Sequence, residues 1–360
     1  MGEYRYHKIM KTIKGPAIFL AQFMDDKAPF NSLEGLCKWA SDLGYKGVQI
    51  PTLDKSIIDL DIAAESQTYC DEFKGKINSF GLEITELSTH IQGQLVAVHP
   101  AHDMMFDVFA PKELQGNYKE RTTWAIDQMH KAGKTSRRLG LKAHATFSGS
   151  LLWPMLHPWP QQPKGLVDTG FKELARRWLP ILNTFEDNGV AVCYEVHPME
   201  DIHDGDTFER FLAATGNHKA VNILYDPSHF VLQQLDYIKY IDHYHEFIKA
   251  FHVKDSEFNS SGKKGTFGGY NDWKNRAGRY RSPGDGQIDF KKVFSKLTEY
   301  GCDVWAVLEW ECVIKSPEQG AREGVGFINN HIIEATHKRF DDFAGSNTTD
   351  EKYLKQILGL

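Results

Sequence analysis

Gly189-Val190-Ala191-Val192-Cys193-Tyr194-Glu195 is the stretch on which the fold turns. Residues 170–187 ahead of it follow a helical pattern that Gly189 ends. The apolar run is too short for a helix, reads as a buried strand, and stops on a carboxylate. The same cadence recurs in Ala17-Ile18-Phe19-Leu20, Gly47-Val48-Gln49-Ile50, Ile84-Thr85-Glu86-Leu87, Lys142-Ala143-His144-Ala145, Val221-Asn222-Ile223-Leu224-Tyr225, Ala250-Phe251-His252-Val253 and Val304-Trp305-Ala306-Val307-Leu308. Helical patterns separate these runs. Leu33, Leu36, Ala40 and Leu43 share one face before Gly44, and Phe290, Val293, Phe294 and Leu297 share another between Asp289 and Gly301. Alternating β and α predicts a parallel sheet, and eight such units predict a single α/β (β/α)8 TIM barrel. A doubly wound open sheet would carry a Gly-rich phosphate turn after its first strand. Leu20-Ala21-Gln22-Phe23 stands there instead. The reading divides the chain into an N-terminal extension (1–13), a barrel (14–338) and a C-terminal tail (339–360).

Composition narrows the function. The chain has 360 residues, 41% hydrophobic and 25% charged, so disorder is excluded as its main state. A net charge of −6 argues against nucleic acid as a partner, because phosphate binding is driven by basic patches. Five cysteines without a CxxC pair predict reduced thiols and a cytoplasmic protein. Residues 1–14 show no apolar signal core, and Tyr6 argues against a myristoylation motif at Gly2. The longest uncharged stretch, 143–163, is interrupted by Pro154, Pro158, Pro160 and Pro163, so no membrane span is expected.

Two segments exceed a minimal βα unit. Residues 147–168 are rich in Trp and Pro, and residues 256–285 combine glycines with six basic residues. Both follow strands, which places them on the barrel's C-terminal face as substrate walls or lids. Arg276, Arg279 and Arg281 leave two readings open, a phosphate site or a solvated basic loop. Residues 341–360 hold a small amphipathic stretch (Tyr353, Ile357, Leu358, Leu360) suited to docking on the body or on another subunit.

The chemistry is positional. Glu195, Asp226 and Glu309 each end an apolar run, and His252 sits late in another. The gaps between Glu195, Asp226, His252 and Glu309 are 31, 26 and 57 residues, the first two about one βα unit each and the third holding the long insertion. A parallel barrel brings all four strand ends to one face. Three carboxylates together would repel one another, and a divalent cation removes that cost. Three carboxylates and one imidazole suit one divalent ion, Mn²⁺ first, with Mg²⁺, Co²⁺ or Zn²⁺ as alternatives. His197 shares the face of Glu195, His229 lies three residues beyond Asp226, Lys254 follows His252, and His90 and His144 end the third and fourth strands. They are candidate substrate-binding donors for a polyol. Phe147, Trp153 and Trp159 are candidates to stack on a sugar ring.

Tyr194-Glu195-Val196-His197-Pro198, Asp226-Pro227-Ser228-His229, His252-Val253-Lys254-Asp255, Pro283-Gly284-Asp285-Gly286-Gln287-Ile288-Asp289 and Leu308-Glu309 stand in an order that resembles the xylose-isomerase-like barrel superfamily of sugar isomerases and epimerases. That superfamily includes ketose 3-epimerases, inosose dehydratases and endonuclease-IV-type nucleases. The resemblance implies a small-molecule carbohydrate substrate and a metal held by Glu195, Asp226, His252 and Glu309. It implies Glu195 and Glu309 as the acid/base pair and His229 as a partner for a substrate hydroxyl, with His197 and Lys254 also near the substrate. The nuclease branch keeps an Asp-x-His pair ahead of its Gly-rich turn, and Arg279-Tyr280-Arg281-Ser282-Pro283-Gly284 lacks it.

The expected activity is therefore metal-dependent isomerisation or epimerisation through an enediolate, in a homo-oligomer. The two long loops keep a second reading open, a lyase or deglycosidase subunit that cleaves 3-keto-glycosides by elimination within a hetero-complex. A non-catalytic sugar-binding barrel is the reading from another class.

Overall fold

The computed structural model describes residues 13–336 and 350–360. The expected extension, apart from Ile13, and the expected boundary at 338/339 lie outside the described residues.

Among the described residues ten strands occur in chain order: β1 (Lys14–Phe19), β2 (Gly47–Pro51), β3 (Glu83–Ser88), β4 (Ala143–Thr146), β5 (Ala191–Glu195), β6 (Val221–Tyr225), β7 (Ile248–Val253), β8 (Asp255–Phe258), β9 (Gly278–Arg281) and β10 (Trp305–Leu308). Eight of them close a barrel in the order β1-β10-β7-β6-β5-β4-β3-β2, while β8 and β9 form a separate two-stranded sheet. Every barrel pairing is parallel. The anticipated (β/α)8 barrel is present, each of its strands near its anticipated run.

Capping explains where the helices begin and end. Ser32 accepts the Gly35 N–H at the start of helix Leu33–Leu43, and Gly44 closes it at φ 102°. Asp289 accepts the Lys292 N–H and starts helix Phe290–Glu299. That helix buries Phe290, Val293, Phe294 and Leu297, each worth about 1.5–3 kcal/mol on transfer from water.

Strand alternation sorts the side chains into two shells. Val48, Ile50, Val192, Tyr194, Ile223, Tyr225, Phe251 and Val253 join the helices in the main core. Ala143, Ala145, Cys193, Leu224 and Ala250 form a second cluster inside the barrel, beside Ala17, Phe19 and Val307. The alanines and Cys193 of the inner shell leave room at its mouth for the longer polar side chains at or just after the ends of β5, β6, β7 and β10.

Three long connections crown the C-terminal end, one more than expected. After β3, residues 90–114 form a series of short helical turns. They are tied down by the buried Arg121 guanidinium, whose nitrogens lie 2.5 Å from Asp103 Oδ1 and 2.6 Å from Asp107 Oδ1. The Trp/Pro-rich connection is anchored at its start, where Asp201 accepts the Leu151 and Leu152 N–H groups. The Gly-rich connection carries the antiparallel β8–β9 ribbon, in which Ser256 pairs with Tyr280. Helix Glu351–Ile357 in the tail leaves Tyr353, Ile357, Leu358 and Leu360 exposed. Among the described residues no helix is long and apolar enough to cross a membrane. All five cysteines are unpaired thiols.

Candidate metal centre and active site

Glu195 ends β5, Asp226 and Glu309 directly follow β6 and β10, and His252 lies within β7. Inward alternation brings the four together. One ligand atom from each lies within 4.8 Å of all the others, and all four residues are buried. Glu195 Oε2, Asp226 Oδ2 and His252 Nδ1 are buried, and their near neighbours are the other ionisable groups of the same site. Three buried carboxylates brought this close repel one another, and a cation at their centre would remove that cost. Hard oxygens plus one imidazole fit a divalent ion, and the residues present fit the expected group.

The two glutamates are held differently. Glu195 lies between imidazoles: His229 Nε2 is 2.7 Å from Oε1 and His90 Nε2 is 2.7 Å from Oε2. Burial pushes the Glu195 carboxyl up, but the hydrogen bonds and charge of His229 and His90 outweigh it and hold it well below the carboxylate range. Glu309 Oε1 accepts the Gln22 side-chain N–H at 3.0 Å. Its Oε2 lies 2.7 Å from His252 Nδ1 and 3.3 Å from Lys254 Nζ. Burial opposes ionisation there too, and Lys254 and His252 prevail.

Lys254 is buried among acids, 2.9 Å from Glu311 and 3.7 Å from Asp226, with its ammonium 4.6 Å from the Tyr280 ring centroid. Burial lowers its pKa, but Glu309, Glu311 and Asp226 together raise it well above the usual value. The Tyr280 hydroxyl lies 3.1 Å from His229 Nδ1, so the ribbon contributes directly to the site. Phe147 stands edge-on to His90 with centroids 4.5 Å apart, and its centroid is 4.8 Å from that of His197. The His197 ring meets His229 at 4.1 Å, and its Nδ1 bonds the Pro198 carbonyl.

The structure thus gathers Glu195, Asp226, His252, Glu309, His90, His197, His229 and Lys254 at one mouth. His144 is the exception. Its ring nitrogens lie 2.8 Å from Thr89 Oγ1 and 3.0 Å from Ser136 Oγ, and it packs on Phe185 of helix Leu166–Asp187. Ala143 and Ala145 take the inward positions on β4, so His144 points to the helix layer and its pKa falls to about 3 through burial and the His90 charge. Trp153 packs edge-on to His203, while Trp159 is exposed. The arginines of the Gly-rich loop have partners on the loop itself: Arg279 and Arg281 bond opposite oxygens of Glu257 at 2.7 and 2.8 Å, and Arg276 stacks on Trp273.

Gln22, Gln49, Tyr280 and Glu311 were not singled out from the sequence as site residues. Polar residues in or just after apolar strands were the available signal for Gln22, Gln49 and Glu311. Tyr280 had none, because its placement depends on a ribbon inside an insertion.

A family model described as xylose isomerase-like TIM barrel matches residues 37–331. Inosose dehydratase from Lactiplantibacillus plantarum is 29% identical over 182 residues, covering 49% of this chain and 55% of that protein. Inosose dehydratase from Geobacillus thermodenitrificans is 30% identical over 129 residues, covering 35% and 42%. The chain spans about half the length of the curated relatives it matches. Among solved structures, 3-keto-D-glucoside 4-epimerase from E. coli shares the fold at TM-score 0.58 and 14% identity, covering 87% of this chain and 98% of that one. A xylose isomerase-like TIM barrel protein from Mycobacterium smegmatis, solved in complex with magnesium, shares it at TM-score 0.59 and 14% identity, covering 88% and 96%.

Proposed function

This chain belongs to the xylose isomerase-like TIM barrel family, and from that premise we propose that it is a divalent-metal-dependent sugar isomerase or epimerase. The observation that carries this reading is the buried cluster of Glu195, Asp226, His252 and Glu309, with ligand atoms within 4.8 Å of one another. These four residues would hold the ion, with Mn²⁺ the first candidate. When bound, such an ion supplies Lewis acidity toward a substrate carbonyl.

The protein's own groups do the rest. Of Glu195 and Glu309, the one that is ionised takes the proton beside the carbonyl, and the other, protonated in the reacting complex, gives its own proton to the opposite face; the two exchange roles for the reverse reaction. Two buried carboxylates on separate strands can meet opposite faces of one carbon. His229, held by Glu195 and Tyr280, and Lys254 offer donors to substrate hydroxyls or to developing negative charge. His90 and His197, flanking Phe147, complete a wall for a polyol. His144, packed in the helix layer, is not assigned a substrate contact.

A second reading is favoured by the names of the matched relatives, which are dehydratases. The same proton removal, followed by departure of a group at the neighbouring carbon, would give elimination of water or of a glycosidic oxygen. Three long connections around the mouth suit a substrate larger than a free ketose. The unpaired thiols accord with a cytoplasmic location. We assign a homo-oligomer to the isomerase reading and a hetero-complex to the glycoside-cleaving one.

Proton NMR in D2O with Mn²⁺, over free ketoses, inososes and 3-keto-glucosides, tests these readings. Deuterium entering beside the carbonyl with the skeleton kept supports isomerisation or epimerisation. Release of water or an aglycone supports elimination. Absence of both across the panel, with Mn²⁺ bound, refutes enolisation of these substrates.

A further inference from the structure

His252 can serve as a ligand through Nδ1 only if its other ring nitrogen carries the proton, since a neutral imidazole has one N–H. That N–H needs an acceptor. Gln49 Oε1 lies 3.1 Å from His252 Nε2, in the interior of the barrel. Gln49 itself is fully buried on β2, where its neighbours Val48 and Ile50 face the helices. An amide has two ends, and its nitrogen end facing Nε2 would set donor against donor. The amide nitrogen instead lies 3.3 Å from Glu86 Oε2, and Glu86 is buried on β3. Glu86 thus gives the amide nitrogen an acceptor and turns the amide oxygen toward the imidazole. Phe19, paired with Gln49 across β1 and β2, stacks on the His252 ring at 5.9 Å and an interplanar angle of 23°. The ring is therefore held on its face and at its far nitrogen, while Nδ1 faces the cluster, 2.7 Å from Glu309 Oε2.

We propose that Gln49 is a positioning residue for the metal centre, fixing the protonated nitrogen and ring angle of His252, and that Glu86 sets the orientation of the Gln49 amide. The proposal rests on the metal reading above but has a readout of its own. Outer partners of a ligating histidine typically contribute 10- to 100-fold to metal affinity.

The test is Mn²⁺ titration calorimetry on the full chain, paired with ¹H–¹⁵N spectra of the histidine rings, in which His252 is assigned by its loss in His252→Gln. Gln49→Leu should weaken Mn²⁺ binding about 10- to 100-fold and abolish a protected His252 Nε2–H signal. Gln49→Glu keeps an acceptor and should retain both within a few-fold. Glu86→Leu should fall between wild type and Gln49→Leu. Binding by Gln49→Leu within twofold of wild type, or equal losses in Gln49→Leu and Gln49→Glu, overturns the role of Gln49. Wild-type behaviour of Glu86→Leu overturns the role of Glu86. If the wild type takes up no Mn²⁺, the metal reading falls on its own, and the ring N–H signal still decides whether Gln49 holds His252.

Discussion

Glu195, at the end of β5, and Glu200, five residues on in the connection that follows, are both buried, yet their environments drive them in opposite directions. Glu195 faces the imidazoles of His229 and His90 and is held well below the ordinary carboxylate range. Glu200 receives only neutral donors, the Gly149 N–H at 2.5 Å and the Ser148 hydroxyl at 3.3 Å. Burial dominates there, with the charges of Asp201 and Glu195 adding to it, and raises its pKa to about 8. Burial alone makes a carboxyl neutral, whereas burial among cations keeps it an anion. The first stands in the four-residue cluster at the barrel mouth, and the second ties down the Trp/Pro-rich connection.

The largest expected difference between them is in turnover. Glu195→Gln and Glu309→Gln should each lower kcat about 10²- to 10⁴-fold on whichever substrate the isotope experiment finds, whereas Glu200→Gln should stay within a few-fold of wild type. Equal losses at positions 195 and 200, measured by steady-state kinetics, would erase the distinction between them.

Removing the cation that neutralises the site should act on stability instead. Lys254→Met leaves Glu309 and Asp226 buried without their ammonium and should cost about 3–5 kcal/mol in metal-free denaturant unfolding. Mn²⁺ at a hundredfold excess over its Kd should restore about 2.7 kcal/mol. Failure of Mn²⁺ to raise the unfolding midpoint would argue that the carboxylates do not form a cation site.

The pH dependence sharpens the same contrast. The Glu200 pKa is higher in the folded state than its ordinary value of 4.5, so between 4.5 and about 8 the native state binds more protons than the unfolded one. Its contribution to stability is therefore full at low pH and is lost as pH rises through that window. Glu200→Gln cannot ionise, so its advantage over wild type should grow from pH 5 to pH 8. Melting temperatures across that range check it, and parallel curves would refute it. Smallest of all, His144→Asn should cost about 1 kcal/mol of stability and leave kcat unchanged, because the ring bonds Thr89 and Ser136 rather than the site.

The barrel was legible because short apolar runs and helical faces alternate with clear stops such as Gly44 and Gly189. The four clustered side chains were legible because a charged group ending or interrupting an apolar strand has few reasons to be there. His144 was misplaced because Lys142-Ala143-His144-Ala145 has no large apolar residue to reveal which parity faces inward. Val-x-Ile around Gln49 did reveal it, but an uncharged amide draws less notice than a carboxylate. Tyr280 and the Arg121-bound turns were beyond reach, since both depend on contacts between segments that local patterning does not connect.

The β8–β9 ribbon has a further consequence. Its register is set by its own pairs, Asp255 with Arg281 through Phe258 with Gly278, and extended by the Asn259 N–H to the Ala277 carbonyl. Tyr280 therefore takes its place from the stem and from Trp273, whose ring lies 5.1 Å from its own, while Phe267 and Tyr270 farther out are exposed. Closing a flexible loop costs only about 0.6 kcal/mol more for each doubling of its length. The segment 260–271 is thus a spacer whose length is nearly decoupled from the roof of the site, a place where residues could be added or removed while Tyr280 stays over Lys254.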